Sequence, residues 1–368
     1  MITVSEAGSM VMKETEFINI SAKEGGFTQQ DKGWLRRAGE VLRGGGLVAF
    51  PTETVYGLGG DALNPDSARL IYAAKGRPSD NPLIIHIADF EALSAIVSEI
   101  PEEAVRLAKV FWPGPLTMIL PKSDAVPYET TGGLGTVAVR MPSHPVALAL
   151  IREGGGYVAA PSANLSGKPS PTSAAYVAED MDGRIDMIID GGEVGIGLES
   201  TIVDLTVSPP RILRPGYITR EMLEQVLGEV GTDATILRSQ QDCGEAPKAP
   251  GMKYRHYAPV GELTIVSGTP DSVADYINQR ADEDRMSGEK VGVIGTEEML
   301  AGYRSDVVKS VGRRGDEETI ARRLYAILRE FDDEGVTKIY SESFSAEGFG
   351  QAIMNRLLKA AGHHVVEV

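Results

Sequence analysis

The sequence predicts an α/β protein in two parts: a larger N-terminal domain on a twisted, mixed sheet with helices, and a smaller C-terminal α/β domain, joined by an ordered linker. Three observations predict it. Over the first ~218 residues short apolar runs alternate with helical patterns. From about Gly228 to Pro259 that alternation degrades. Beyond Pro259 a strand–helix rhythm returns and holds to the end of the chain. A length of 368 residues suits two domains better than one.

In the first part the expected strands are Leu47–Phe50, Leu83–Ile87, Leu116–Leu120, Val137–Arg140, Val158–Ala160, Met187–Ile189 and Thr201–Leu205. The expected helices are Gly33–Arg43, Ser67–Ala74, Phe90–Ser94, Glu102–Val110 and Pro145–Arg152. Several of these strands follow one another too closely for helical crossovers, so the sheet is expected to be mixed and partly antiparallel. The domains are placed at 27–218 and 260–368, with 219–259 as linker. In the second domain Glu262–Val266, Lys290–Ile294 and Lys338–Ser341 read as strands, and Gln351–Ala361 as a helix. Thr319–Phe331 is amphipathic, with Ile320, Leu324, Ile327, Leu328 and Phe331 on one face. This pattern suits a small Rossmann-like unit. Its Gly292-Val-Ile-Gly295 is not a GxGxxG loop, so no dinucleotide site is read there.

A net charge of −16 argues against generic nucleic-acid binding, because phosphate-backbone affinity comes from Lys and Arg; no stable nucleic-acid complex is expected. No stretch approaches the roughly 18 apolar residues of a membrane span. The start, Met1-Ile-Thr-Val-Ser-Glu-Ala7, lacks the charged beginning and apolar core of a secretory leader. Cys243 is the only cysteine, which fits a cytoplasmic protein and has no local cation to make it reactive. The five histidines have no metal-ligand spacing, so no protein-held metal is expected.

Chemistry concentrates in a few clusters. Phe50-Pro-Thr-Glu-Thr-Val-Tyr-Gly-Leu-Gly59 ends an apolar run in hydroxyls, a carboxylate and a phenol, a density that reads as a polar binding site and not as a hairpin. Lys75-Gly-Arg77-Pro-Ser-Asp-Asn81 places two cations at a helix end, then leads to His86. Such a pair can grip phosphate, or simply answer the helix dipole. Gly132-Gly-Leu-Gly-Thr136 feeds a strand ending in Arg140; Ser162-Ala-Asn164 follows another; Ser200 and Arg214 bracket a third region. No Walker sequence occurs, so a nucleotide would not sit in a P-loop. The linker ends in Gly251-Met-Lys-Tyr-Arg-His-Tyr257, too dense in cations and rings for a bland connector.

Taken in order, Phe-Pro-Thr-Glu-Thr-Val-Tyr-Gly-Leu, Lys-Gly-Arg-Pro, Trp112-Pro-Gly-Pro-Leu-Thr117, Pro-Ser-Ala-Asn-Leu-Ser-Gly and Arg-Pro-Gly resemble the YrdC-type threonylcarbamoyl-AMP synthase family over roughly Gly33 to Tyr217. The linker end and the Rossmann-like tail resemble its long, two-domain form. The resemblance implies an enzyme, a nucleotidyltransferase. It would condense L-threonine, bicarbonate and ATP into threonylcarbamoyl-adenylate and pyrophosphate, the first step of N6-threonylcarbamoyladenosine formation at position 37 of tRNAs reading codons that begin with A. It implies catalytic roles for Lys75, Arg77, Ser162 and Asn164, and threonine contacts for Thr54, His86, Arg140 and Ser200. Arg77, Asn81, Thr136, Ser162 and Arg214 would face ATP, whose Mg2+ arrives on the triphosphate, and Tyr254, Arg255 and His256 would form a lid. It also implies handover to the tRNA threonylcarbamoyltransferase machinery as partner. A carbamoyl-phosphate-dependent carbamoyltransferase shares the domain type, but one cysteine leaves no zinc fingers and the length no acylphosphatase domain. A non-catalytic RNA-binding module is disfavoured by the charge.

Overall fold

The computed structural model describes residues 14–21, 26–233, 236, 247, 249 and 256–368. They form two sheets. The larger has eleven strands: β1 (Glu16–Asn19), β2 (Val48–Phe50), β3 (Gly57–Asp61), β4 (Ile84–His86), β5 (Leu116–Pro121), β6 (Thr136–Arg140), β7 (Val158–Ala159), β8 (Met187–Asp190), β9 (Thr201–Asp204), β10 (Arg211–Arg214) and β11 (Gly231–Thr232). Their spatial order is β1-β8-β2-β3-β7-β4-β6-β5-β9-β10-β11, with parallel and antiparallel pairs interleaved. The mixed sheet expected from the sequence is therefore observed.

The helices of this part are α1 (Gln29–Arg43), α2 (Pro65–Lys75), α3 (Leu93–Ile96), α4 (Glu102–Phe111), α5 (Pro145–Glu153), α6 (Ala174–Met181) and α7 (Arg220–Leu227). Leu35, Leu42, Val146 and Leu150 of α1 and α5 pack with Val48 and Phe50, while Ile71, Leu107, Val177 and Leu223 of α2, α4, α6 and α7 share a second cluster with Leu58 and Ile85. The segment expected as a helix at Phe90–Ser94 divides into a 3-10 turn, Phe90–Ala92, and the single turn α3.

The second sheet is wholly parallel. It contains β12 (Glu262–Ser267), β13 (Val291–Gly295), β14 (Val307–Ser310), β15 (Lys338–Glu342) and β16 (Val365–Glu367) in the order β14-β13-β15-β12-β16. Helix α8 (Pro270–Met286) packs with Val266, Val291 and Val293, whereas α9 (Glu317–Asp333) and α10 (Gly350–Ala360) pack with Leu263 and Ile265 and also with Val55 and Leu198 of the first domain. The two domains thus share an apolar cluster. Gly197 lets the backbone come this close: its φ is +88°, and a Cβ there would stand 2.5 Å from the Cα of Arg322 on α9.

One reading is corrected. The segment Phe50–Gly59 is a hairpin after all, because β2 and β3 pair antiparallel with Val48 opposite Gly59 and Phe50 opposite Gly57. Strand β3 reads Gly-Leu-Gly-Gly-Asp and carries no β-branched or aromatic residue that would announce it. Packing explains the glycines: a Cβ on Gly59 would stand 2.9 Å from Val158 Cγ1, and one on Gly60 3.1 Å from Ile71 Cδ1. Among the described residues no helix is long and apolar enough to cross a membrane.

Candidate active site

The hairpin loop between β2 and β3 is held by its first threonine. Thr52 Oγ1 donates to Val55 O at 2.6 Å and accepts from Val55 N at 3.2 Å, a hydroxyl turn that sets Thr54 inward. Tyr56 anchors the loop from behind, donating to Gly192 O at 2.6 Å and accepting from Gly191 N at 3.1 Å. Opposite, α2 starts on the Asn64 cap with Pro65 in its first turn and ends at Lys75, where Gly76 (φ 59°) turns the chain left-handed. Arg77 emerges from that turn and donates to Asn81 O at 3.4 Å and Pro82 O at 3.3 Å.

Between these elements lies a narrow, largely filled cleft of about 70 Å³. Its wall includes Thr54, Lys75, Arg77, His86, Arg140, Ser162, Asn164, Ser200, Arg214 and His256. Lys75 Nζ, buried, donates to the carbonyl oxygens of Ser162 and Asn164. Ser162 Oγ donates to Asn164 Oδ1 at 2.5 Å, and Asn164 Nδ2 donates to Lys168 O at 2.9 Å. Lys75, Ser162 and Asn164 are thereby one bonded unit. On β6, Arg140 Nη1 donates to Thr54 Oγ1 at 3.0 Å and Nη2 stands 2.7 Å from Glu53 Oε1. On β10, Arg214 Nε donates to Ser200 O at 3.0 Å, and Ser200 Oγ lies 2.7 Å from Thr117 Oγ1.

The electrostatics suit an anion. Burial, and then Arg77, push the Lys75 ammonium well below its ordinary range. Burial lowers Arg77 to about 10 and His86 to about 3, the latter helped by Arg140. His86 is therefore neutral; its Nδ1 lies 3.1 Å from Ile84 O, which leaves Nε2 as an acceptor. Burial would raise Glu199, but Arg356 and Arg214 outweigh it and hold that carboxyl down at about 2. Cations crowded into a dry cleft repel one another until a polyanion enters.

Two expected residues stand apart. Thr136 is half-buried at the start of β6, opposite Pro121, and Asn81 sits in the loop before β4; neither lines the cleft. Both precede strands whose far ends carry Arg140 and His86, so they lie towards its Arg77 side. The buried Asn81 amide has neither its oxygen nor its nitrogen bonded. Of the lid, His256 lines the cleft, whereas Tyr254 and Arg255 fall outside the described residues. Residues not singled out from the sequence also reach it: Glu199, Ser170 and Tyr257. Tyr257 stacks on Tyr325 of α9 with ring centroids 5.1 Å apart. A legible signal existed in α10, where Arg356 interrupts the apolar stripe of Ala352, Ile353, Leu357 and Ala360.

Fold and cleft define a two-domain enzyme of small polar substrates, in which an α/β domain carries the pocket and a Rossmann-like domain closes against it. Residues 40–216 match the family described as Telomere recombination, and residues 218–362 the one described as Threonylcarbamoyl-AMP synthase, C-terminal domain. The Threonylcarbamoyl-AMP synthase of Bacillus subtilis is 53% identical over 90% of this chain and 94% of its own length. That of Pyrococcus abyssi is 52% identical over 91% and 96%. The crystal structure of P. abyssi Sua5 complexed with L-threonine superposes with a TM-score of 0.89 and 49% identity, covering 96% of this chain and 100% of that one. The chain belongs to the threonylcarbamoyl-AMP synthase family, in its two-domain form.

Proposed function

We propose that this protein is a threonylcarbamoyl-AMP synthase, converting L-threonine, bicarbonate and ATP to threonylcarbamoyl-adenylate and pyrophosphate. The observation that carries this reading is the sharing of one cleft by a carboxylate-binding guanidinium, Arg140 with Thr54 and His86, and a set of cations, the buried Lys75 and Arg214 with the half-buried Arg77. The first set suits an amino acid; the second suits a triphosphate.

The threonine amine attacks the bicarbonate carbon and water leaves, giving a carbamate. A carbamate oxygen then attacks the α-phosphorus, forming the O–P bond as the bond to the bridging oxygen breaks and pyrophosphate departs. Such a transfer asks for alignment and charge stabilisation more than for a protein nucleophile. Arg140 would pair with the threonine carboxylate, with Thr54, His86 and Ser200 around the rest of the amino acid. Arg77, Ser162 and Arg214 would hold ATP, with Asn81 and Thr136 at its outer end, and the Lys75–Ser162–Asn164 unit would meet the charge that develops on the phosphates. Magnesium enters as part of the MgATP substrate, bound largely by phosphate oxygens and water. Tyr254, Arg255 and His256 would close over the labile anhydride, and the adenylate would pass to the cytoplasmic tRNA threonylcarbamoyltransferase machinery.

The test is detection by mass spectrometry of threonylcarbamoyl-AMP from ATP, threonine and bicarbonate. Product is expected with the wild type and not with Lys75→Ala; its absence from all reactions would overturn the reading.

A further inference from the structure

The second domain reaches the cleft through one carboxylate. Glu199 is buried in its wall and takes bonds from both domains: Ser170 Oγ donates to Oε1 at 2.6 Å, while Tyr325 of α9 and Arg356 Nε of α10 donate to Oε2 at 3.0 and 2.9 Å. Arg356 has no exposed surface, and its Nη2 also donates to Glu199 O at 3.3 Å. The next residue, Ser200, accepts from Arg214 at its carbonyl oxygen (3.0 Å) and its hydroxyl (3.2 Å). A continuous line of bonds thus runs from α10 through Glu199 and Ser200 to Arg214.

Both oxygens of Glu199 accept hydrogen bonds from side chains of the protein. Its effect is on charge and geometry. With Arg356 in place, the carboxylate is neutralised from behind. Without it, a buried unpaired carboxylate would confront the triphosphate and would draw Arg214 towards itself.

Resting on the reading of this cleft as the ATP site, we propose that Arg356 and Tyr325 are positioning residues for the reaction: they restrain Glu199 so that Ser200 and Arg214 keep their places and the cations of the cleft stay available to ATP. The second domain is in this sense part of the active site's wall, although neither residue touches a substrate.

The experiment measures ATP binding by calorimetry on the full chain, with folding checked by circular dichroism. In Arg356→Met the dissociation constant is expected to rise at least about tenfold, because a buried charge loses its partner. Adding Glu199→Gln removes that charge and should bring it back to within about threefold of wild type, a coupling that a merely structural ion pair would not show. Tyr325→Phe removes one neutral hydrogen bond and should cost about two- to fivefold. Should Arg356→Met fail to fold, Tyr325→Phe decides alone. Unchanged ATP affinity in a folded Arg356→Met or in Tyr325→Phe overturns the proposal, as does a double variant no better than Arg356→Met. Failure of the wild type to bind ATP would instead overturn the functional reading beneath it.

Discussion

Arg140 and Glu53 face each other at 2.7 Å, yet the contact is not aligned as a hydrogen bond: Arg140 Nε and Nη2 and both Glu53 oxygens are buried without a bonded partner. Buried polar atoms rarely go unbonded in a finished structure, so a group is expected to arrive. A substrate amino acid fits: its carboxylate can meet Nε and Nη2 side by side while Nη1 stays on Thr54, and its amine can donate to the Glu53 oxygens.

The first prediction follows from that fork. Arg140→Lys keeps the charge but loses the planar pair of donors, so the KM for threonine should rise by roughly 30- to 100-fold while the KM for ATP moves less than about threefold. Initial rates at varied threonine and ATP check it. Equal increases for both substrates would place Arg140 at a general structural role.

The second concerns proton uptake. Lys75 is held below its ordinary range by burial first and Arg77 next; entering phosphates counter both, so its pKa rises on binding. ATP binding should take up a proton, and affinity should weaken as pH climbs between the free and bound values. Calorimetry in two buffers of different ionisation enthalpy reads this directly. Lys75→Met should reduce the uptake and weaken binding about tenfold or more. Lys359, lowered by burial and then by Arg356 and Arg214 to about 7, is a second lysine open to the same effect, and its replacement measures the share of the uptake that is not due to Lys75.

These two predictions use residues that the sequence already marked, and the reason is local chemistry. Lys75, Arg77, Ser162, Asn164 and Arg140 stand in short motifs whose glycines, prolines and hydroxyls have no apolar periodicity to serve. Strands with continuous apolar runs, such as β5 and β6, were legible for the opposite reason. What was not legible depends on distant partners. Strand β3 is a strand because Phe50, Val158 and Ile71 leave space only for glycine. Glu199 matters because helices more than a hundred residues later deliver Tyr325 and Arg356 to it. Nothing near Glu199 in the chain announces those partners.

A third prediction concerns acid. His86 is buried, and its value of about 3 lies below the ordinary 6.5. The unfolded chain therefore binds a proton that the folded one refuses. The neutral ring's contribution is complete above pH 6.5 and is lost as pH falls towards 3, at a limiting slope of about 1.4 kcal/mol per pH unit. Urea midpoints across that window should fall in the wild type and fall less steeply in His86→Asn, where buried His256, also at about 3, still refuses its proton. Parallel curves would assign the acid sensitivity elsewhere.

The last prediction tests closure. His256 lines the cleft, held neutral at a value of about 3 by burial and then Arg77, and Tyr257 beside it is pinned between the Tyr325 ring and the Arg356 guanidinium, 5.8 Å from its centroid. The end of the linker is thus anchored on the second domain. A cover over a mixed anhydride has one job that positioning residues do not share: excluding water until the product leaves. Replacing Tyr254 and His256 by alanine should therefore leave ATP consumption within about threefold of wild type and raise the fraction of AMP formed without threonylcarbamoyl-adenylate severalfold. The ratio of AMP to adenylate, followed by chromatography during single turnovers, separates the two roles. If consumption and product fall together and the ratio holds, the segment binds substrate without sealing it.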